Sequence, residues 1–307
     1  MAAPIVYRWD DGNAPVARGE RRSLCDILYA CLVTGYGTKP GAGWTREFVN
    51  ATFDKAAFRN NPATGTGFYL QVDGLGGVNA YQPKVQAFET MTSESDGLFP
   101  FNNATLQTVD TSNAAGTAAR PWILIADDRF FYFWCWNAIT TAPTVSQYVA
   151  SGLAFGDINP FRSNDQFACA LSGSTYGIAG FLASSSGSAG GTYSFKFPRK
   201  SSGVLGSGYA SSLVRGGGPG SDGVVGAAGP PYDATLPMLI TRPCVNEGAA
   251  NTLRGFVPGL FYSCYYPVPF TQLQTLTFEG RSFMFLCVYG EGGNICRYLI
   301  SLDDWRV

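Results

Sequence analysis

The sequence predicts a mainly-β protein, with antiparallel, sandwich-like sheets and one amphipathic helix near the N-terminus. Three observations lead there. Only the stretch Arg21–Val33 repeats its apolar residues with helical spacing. The other apolar runs are short, and many alternate with period two. Clusters rich in glycine, proline, asparagine and aspartate separate them, drawn from 38 glycines and 18 prolines.

The elements follow in chain order. In "RRSLCDILYACLV", Leu24, Ile27, Leu28, Cys31 and Leu32 fall on one helical face. This predicts a helix over 23–33, with Ser23 as N-cap, Asp26 in its first turn and "TGYGTKPGAG" as its stop. Cys31 lies inside the stripe, and Cys25 lies toward its edge. "GFYLQVDG" and "KVQAFETM" alternate as strands, joined by the turn residues of "GLGGVNAYQP". "RPWILIADDRFFYFWCWNA" reads as a hairpin turned at Asp127, Asp128 and Arg129. Its second strand, "FFYFWCWN", has six aromatic residues in eight and no alternation, so both its faces must be covered. "GLAFGDINPFRSNDQFACALSG" reads as strand, loop and strand, with Cys169 on the second strand.

From Ser184 to Pro231 the composition turns Gly/Ser-rich, interrupted by the alternating "TYSFKFP". This segment reads either as a surface loop around one hairpin or as an arm that orders against a neighbouring subunit. Strands resume in "LPMLITRP", "FYSCYYPVPF", "QTLTFEG" and "SFMFLCVYGEGGNICRYLIS". In the last, pairing Cys287 with Cys296 places Val288 opposite Ile295 and brings the two thiols within disulfide reach. The organisation expected is therefore a β-rich segment 1–183 containing helix 23–33, a loop or arm 184–231, and strands 232–307 packed on the first segment.

Composition narrows the chemistry. Of 307 residues, 46% are apolar, enough for a sizeable core, whereas only 14% are charged and the net charge is −1. That balance lacks the basic footprint of a nucleic-acid binder and the polybasic patch of a membrane-surface protein. Such a weakly charged, aromatic surface suits a protein with permanent neighbours. There is no histidine, which removes Ser-His-Asp and Cys-His nucleophiles, His-containing zinc sites and the commonest general base. "MAAPIVYRWDDG" has no signal-peptide pattern and no run reaches membrane-span length, so synthesis and folding in a cytosol are expected.

Candidate residues fall into three groups. The eight cysteines form no CxxC pair, and zinc-ribbon or thioredoxin chemistry has no support. Cys25, Cys244, Cys264, Cys287 and Cys296 are the candidates for cross-linking. Cys31, Cys135 and Cys169, within apolar patterns, read as buried thiols. The aromatics Trp134, Trp136, Tyr262, Tyr265 and Tyr266 read as core or interface packing, with a glycan platform as the alternative. The acidic pairs Asp10/Asp11, Asp127/Asp128 and Asp303/Asp304 read as turn residues, with a metal-dependent depolymerase as the weaker reading. No nucleotide loop or calcium loop has the required spacing, and no cofactor is expected.

A series of short blocks carries a resemblance: "LCDILYACLVTGYG", "GAGWTREF", "AAFRN", "GFYLQVDG", "AFETMTSESDGLFPF", "ARPWILIADDRFFYF", "AFGDINPF", "DQFACAL" and "LRGFVPGLFY". Spread from Tyr7 to Phe270, they resemble a family of structural proteins of uncharacterised role from tailed-bacteriophage virions. The resemblance implies a β-rich particle component whose partners are major capsid, neck or tail subunits, with a homo-oligomer expected and neither nucleic acid nor membrane engaged. The expected place is the virion exterior, as a minor capsid or decoration, collar or tail-associated protein. A receptor- or glycan-binding tail protein is the alternative.

Overall fold

The computed structural model describes residues 3–101, 106–144, 151–174, 195–205, 212–214, 240–247, 252–263, 271–289 and 295–306. The chain is mainly β, built from antiparallel sheets. The central sheet has the order β1 (Ile5–Arg8), β10 (Trp122–Ala126), β11 (Phe130–Cys135), β12 (Ser151–Asp157), β14 (Cys169–Ser174). An outer sheet runs β3 (Thr45–Val49), β4 (Lys55–Arg59), β5 (Tyr69–Asp73), β6 (Lys84–Met91), β7 (Gly97–Pro100), with β8 (Gln107–Thr108) also on β6. The C-terminal sheet runs β16 (Ile240–Thr241), β19 (Leu260–Ser263), β22 (Ile295–Ser301), β21 (Arg281–Tyr289), β20 (Thr275–Phe278). A small sheet joins β13 (Asn159–Pro160), β18 (Thr252–Phe256), β17 (Cys244–Glu247) and β15 (Ser212–Val214), and a ribbon pairs β2 (Ala17–Gly19) with β9 (Gly116–Arg120).

The unalternating strand β11 lies in the middle of the central sheet, paired with β10 and β12. Side chains of a strand point alternately to its two faces. Phe131, Phe133 and Cys135 enter one buried cluster, shared with Leu24, Ile27 and Leu28 of the helix and Leu70, Val72, Val85 and Ala87 of the outer sheet. Phe130, Tyr132 and Trp134 enter a second cluster, shared with Leu260, Met284, Leu286, Tyr298, Ile300 and Trp305. Layers therefore cover β11 on both faces, which explains why no polar residue interrupts it. The rings pack edge-on and stacked: Trp44 lies 5.4 Å from Phe131, and Tyr132 lies 5.3 Å from Trp134 and 5.5 Å from Trp305. Gly259, at φ 64°, passes directly against the Trp305 indole, where a Cβ would collide with the ring.

The helix departs from expectation at both ends. Regular α-helix α1 covers Ser23–Leu28, and Tyr29–Thr34 continue it with π-helical geometry up to Gly35 at φ 77°. Ser23 is not the N-cap. Arg22 takes that position without a side-chain cap bond, while the Ser23 hydroxyl is buried and accepts the Arg18 backbone N–H at 3.0 Å. The apolar stripe itself matches expectation, with Leu24, Ile27, Leu28, Cys31 and Leu32 all fully buried.

The final hairpin differs by one residue of register. Cys287 pairs with Arg297, and Cys296 pairs with Val288. Alternation is the same in either register, but a one-residue slip exchanges the faces. The two cysteines therefore do not face each other as expected, and Cys287 is buried. The segment expected as a loop or arm is in part built into the chain's own fold. Phe195 and Phe197 are buried in the cluster behind β11, Lys196 bridges to Leu171, and β15 pairs with β17. Of 184–231, residues 195–205 and 212–214 are described, and the remainder lies outside the described residues. No helix among the described residues is long and apolar enough to cross a membrane.

Truncating either face of β11 removes a large ring from a closed layer. Trp134→Ala and Phe133→Ala should each cost about 3–5 kcal/mol in urea denaturation. Leu98→Ala, at a side chain 57% exposed, should stay within about 0.5 kcal/mol. Equal losses at all three would mean that β11 is not the centre of the core.

Candidate functional site: polar clamps around the aromatic sheet

Stacked layers need joints at their rims, and here the joints are buried or half-buried charges. The first is the β10–β11 turn. The Asp127 carboxylate accepts the backbone N–H groups of Arg129 at 2.8 Å and Phe130 at 2.6 Å, the usual role of an aspartate in a turn. It also receives a two-pronged guanidinium from Arg306, at 2.9 and 3.1 Å, with side-chain exposures of only 4% and 7%. Arg306 donates further to the Asp157 carbonyl at 2.7 Å and to Asn159 Oδ1 at 3.0 Å. The Trp44 indole N–H donates to the Asp127 carbonyl at 2.8 Å. One turn residue thus ties the central sheet, the segment entering β3 and the C-terminal segment together.

Its neighbours extend the knot. Asp128 accepts from Thr64 Oγ1 at 2.5 Å and from Asn61 Nδ2 at 3.1 Å, on the β4–β5 loop. Asp157 accepts from Asn60 Nδ2 at 2.9 Å and from the Thr66 N–H and hydroxyl at 2.8 and 2.6 Å. Burial raises the Asp157 carboxyl above its ordinary range, against the opposing pull of Thr66, Arg306 and Asn60. Burial also lowers the Arg129 guanidinium, with the nearby Arg306 charge adding to it.

A second joint lies on the loop that enters β14. Arg254 and Asp165 form a two-pronged pair at 2.8 and 3.1 Å, each side chain 1% exposed. Arg254 also donates to the carbonyls of Arg199 and Phe167 at 2.8 and 2.7 Å, and its guanidinium lies 4.1 Å from the Phe197 ring centre. Arg199 in turn forks onto Glu89 of the outer sheet at 2.6 and 3.0 Å. A third joint fastens the N-terminal strand: Asp11 receives Lys39 at 2.6 Å, the Tyr36 hydroxyl at 2.8 Å and the Arg8 N–H at 2.7 Å. Burial pushes the Asp11 carboxyl up, but these three hydrogen bonds outweigh it and hold it below its ordinary value.

The acidic pairs therefore have positional roles. Asp10 pairs with Arg8, Asp303 accepts the Ser282 N–H, and Asp304 accepts the Arg306 N–H. Among the described residues, no group of three or more His, Cys, Asp and Glu residues could hold a metal ion.

The other sequence candidates separate by depth. Trp134 and Trp136 are fully buried, which takes them out of any surface platform and makes them core. The Tyr262 side chain, Tyr265 and Tyr266 lie outside the described residues. Cys31, Cys135 and Cys169 are buried free thiols, as expected, and Cys135 donates weakly to the Thr111 carbonyl at 3.5 Å. Cys25 departs from expectation. The helical stripe places it at the margin, open to cross-linking, yet it is buried at 4% exposure. The outer sheet wraps past the stripe's edge, bringing Asp54 and Asp73 close enough to act on its thiol. Burial raises the thiols of Cys25, Cys135 and Cys169, which makes them poor nucleophiles. Cys244 is a half-buried free thiol, while Cys264 and the Cys296 side chain lie outside the described residues. Sequence reading missed Arg306, Arg254, Asp157 and Asp165. Only the "DD" turn signal pointed toward the first knot, and nothing local pointed to Arg306.

No protein-family model matches this chain, and no curated protein matches it.

Two measurements check the clamps. Asp127→Asn should cost about 3–5 kcal/mol in urea denaturation, because it leaves the buried Arg306 unpaired. Asp127→Asn combined with Arg306→Met should be milder than the sum of the single changes, because the orphaned charge is then removed as well. Strict additivity would show that the pair does not couple the layers. In the native protein, Cys25 and Cys135 should both resist alkylation, and Cys244 should label before either. Rapid labelling of Cys25, followed by loss of a reducible high-mass species in Cys25→Ser, would restore the cross-linking role.

Proposed function

We propose that this chain is a structural component of a tailed-phage virion, carried on the particle exterior as a minor capsid or decoration, collar or tail-associated protein. The observation that carries the reading is where the buried charge goes. Asp127, Asp157 and Asp165 are all engaged by arginines or hydrogen-bond donors that hold layer to layer. Such an arrangement makes a rigid building block. The resemblance of the sequence blocks to virion structural proteins supports the same reading. So does a surface with few charges that nonetheless exposes Leu98, Phe99, Phe161, Val204, Leu205 and Leu253. In this role the protein holds its neighbours through surface contact, with half-buried Cys244 better placed for a disulfide cross-link than the buried Cys25 and Cys287. The glycan-binding alternative loses two of its candidate platform residues with the burial of Trp134 and Trp136.

The test is physical location. Density-purified particles from the lysate that produces this chain should contain it at a fixed stoichiometry, and antibodies should decorate intact particles. Recovery only in the soluble fraction, with none in particles, would overturn the assignment.

A further inference from the structure

Between the outer and central sheets runs the segment 106–113, fastened along most of its length. Gln107 Oε1 accepts the Gly173 N–H of β14, and the Val109 N–H donates to the Pro83 carbonyl at 3.1 Å. The Asp110 N–H donates to Ser151 Oγ of β12 at 2.6 Å. The Thr111 N–H donates to the Tyr81 carbonyl at 3.0 Å, and its hydroxyl to the Arg18 carbonyl at 2.8 Å. The Asn113 N–H reaches the Asn137 carbonyl at 3.0 Å. In the middle of this strap sits the Asp110 carboxyl, 8% exposed, whose Oδ1 is buried without a hydrogen-bond partner among the described residues.

The other buried aspartates are solvated by the protein: Asp127 by Arg306, Asp165 by Arg254, and Asp157 by Asn60 and two groups of Thr66. Asp110 forms no ion pair among the described residues and has one side-chain donor, Gln82. The charged and titratable groups around it do not make up the deficit. Lys84 of β6 is the cation whose charge acts on it, and its ammonium is bonded to Thr108 Oγ1. Cys135 of β11 is a neutral thiol. Arg120 of β9 is committed to Ser112 and Asn113 at 3.1 and 2.8 Å. β12 and β14 present Ser151 and Gly173, which carry no charge. A carboxylate in such a place is poorly stabilised, whereas a neutral carboxylic acid is tolerated.

We propose that segment 106–113 is a pH-sensitive strap: Asp110 in its neutral form holds the outer sheet to the central sheet, and ionisation of Asp110 loosens that joint. Burial pushes the carboxyl from its ordinary 3.8 up to about 7, against the weaker pull of Gln82 and Lys84. The unfolded chain gives up this proton near pH 4, and the folded chain keeps it to about pH 7. Between those values the folded state binds the extra proton, so this contribution to stability falls as pH rises from about 4 to about 7 and is level above.

The experiment uses the full chain. Amide exchange of 106–113, corrected for intrinsic rates, should accelerate at least tenfold more than that of β10 and β11 between pH 5 and pH 8. In Asp110→Asn this extra acceleration should vanish. Carbon-13 NMR of labelled aspartate carboxyls should show one group in the wild type titrating above about pH 6, absent from Asp110→Asn. Asp110→Ser serves as a second neutral variant should the amide fail to fold, and the wild-type titration requires neither. A strap that loosens equally in the variants, or an Asp110 carboxyl titrating below pH 5, would overturn the proposal.

Discussion

A strand that is apolar on both faces cannot lie against water on either, and the rest of this protein follows from that constraint. β11 presents Phe131, Phe133 and Cys135 to one side and Phe130, Tyr132 and Trp134 to the other. One covering layer would leave half of these rings in solvent. The helix and outer sheet therefore close one face, and the C-terminal strands close the other. The order along the chain suits this arrangement, since the first cover precedes the β10–β11 hairpin and most of the second follows it.

Apolar packing is non-directional and does not by itself say where a layer stops sliding. The buried ion pairs supply that information. Asp127–Arg306 and Asp165–Arg254 fasten different segments, the β10–β11 turn and the loop entering β14, and each pairs residues far apart in the chain. Desolvating both charges offsets much of what such a pair gains, so its worth here is positional more than energetic. Asp110 is built differently. It occupies a comparable depth without a countercharge, and this contrast marks the strap between the sheets as the weaker joint.

How much of this was legible varies from residue to residue. The hairpin of β10 and β11, its aspartate turn and the need to cover both faces could all be read from "WILIADDRFFYFWCW". The helical stripe from Leu24 to Leu32 was equally legible, because a single face of 3.6-residue periodicity is explained by burial against one layer. Of the site, Asp127 and its turn role were legible, as was the burial of Cys135. The arginine partner of Asp127 was not, since 179 positions separate the two and no local pattern links them.

The sequence by itself determined the fold class, the central hairpin and the buried character of the strands and helix stripe. These are consequences of side-chain direction along one element, which backbone geometry repeats every two or 3.6 residues. Tertiary structure alone decided which layer covers which face, the pairing of Cys287 with Arg297, the burial of Cys25 and the partners of Arg306 and Arg254. The physical reason is that alternation is unchanged by a shift of register, and a stripe's margin carries no record of the sheet that will wrap around it. An ion pair between distant residues exists only once the intervening layers have packed and fixed the distance between its ends.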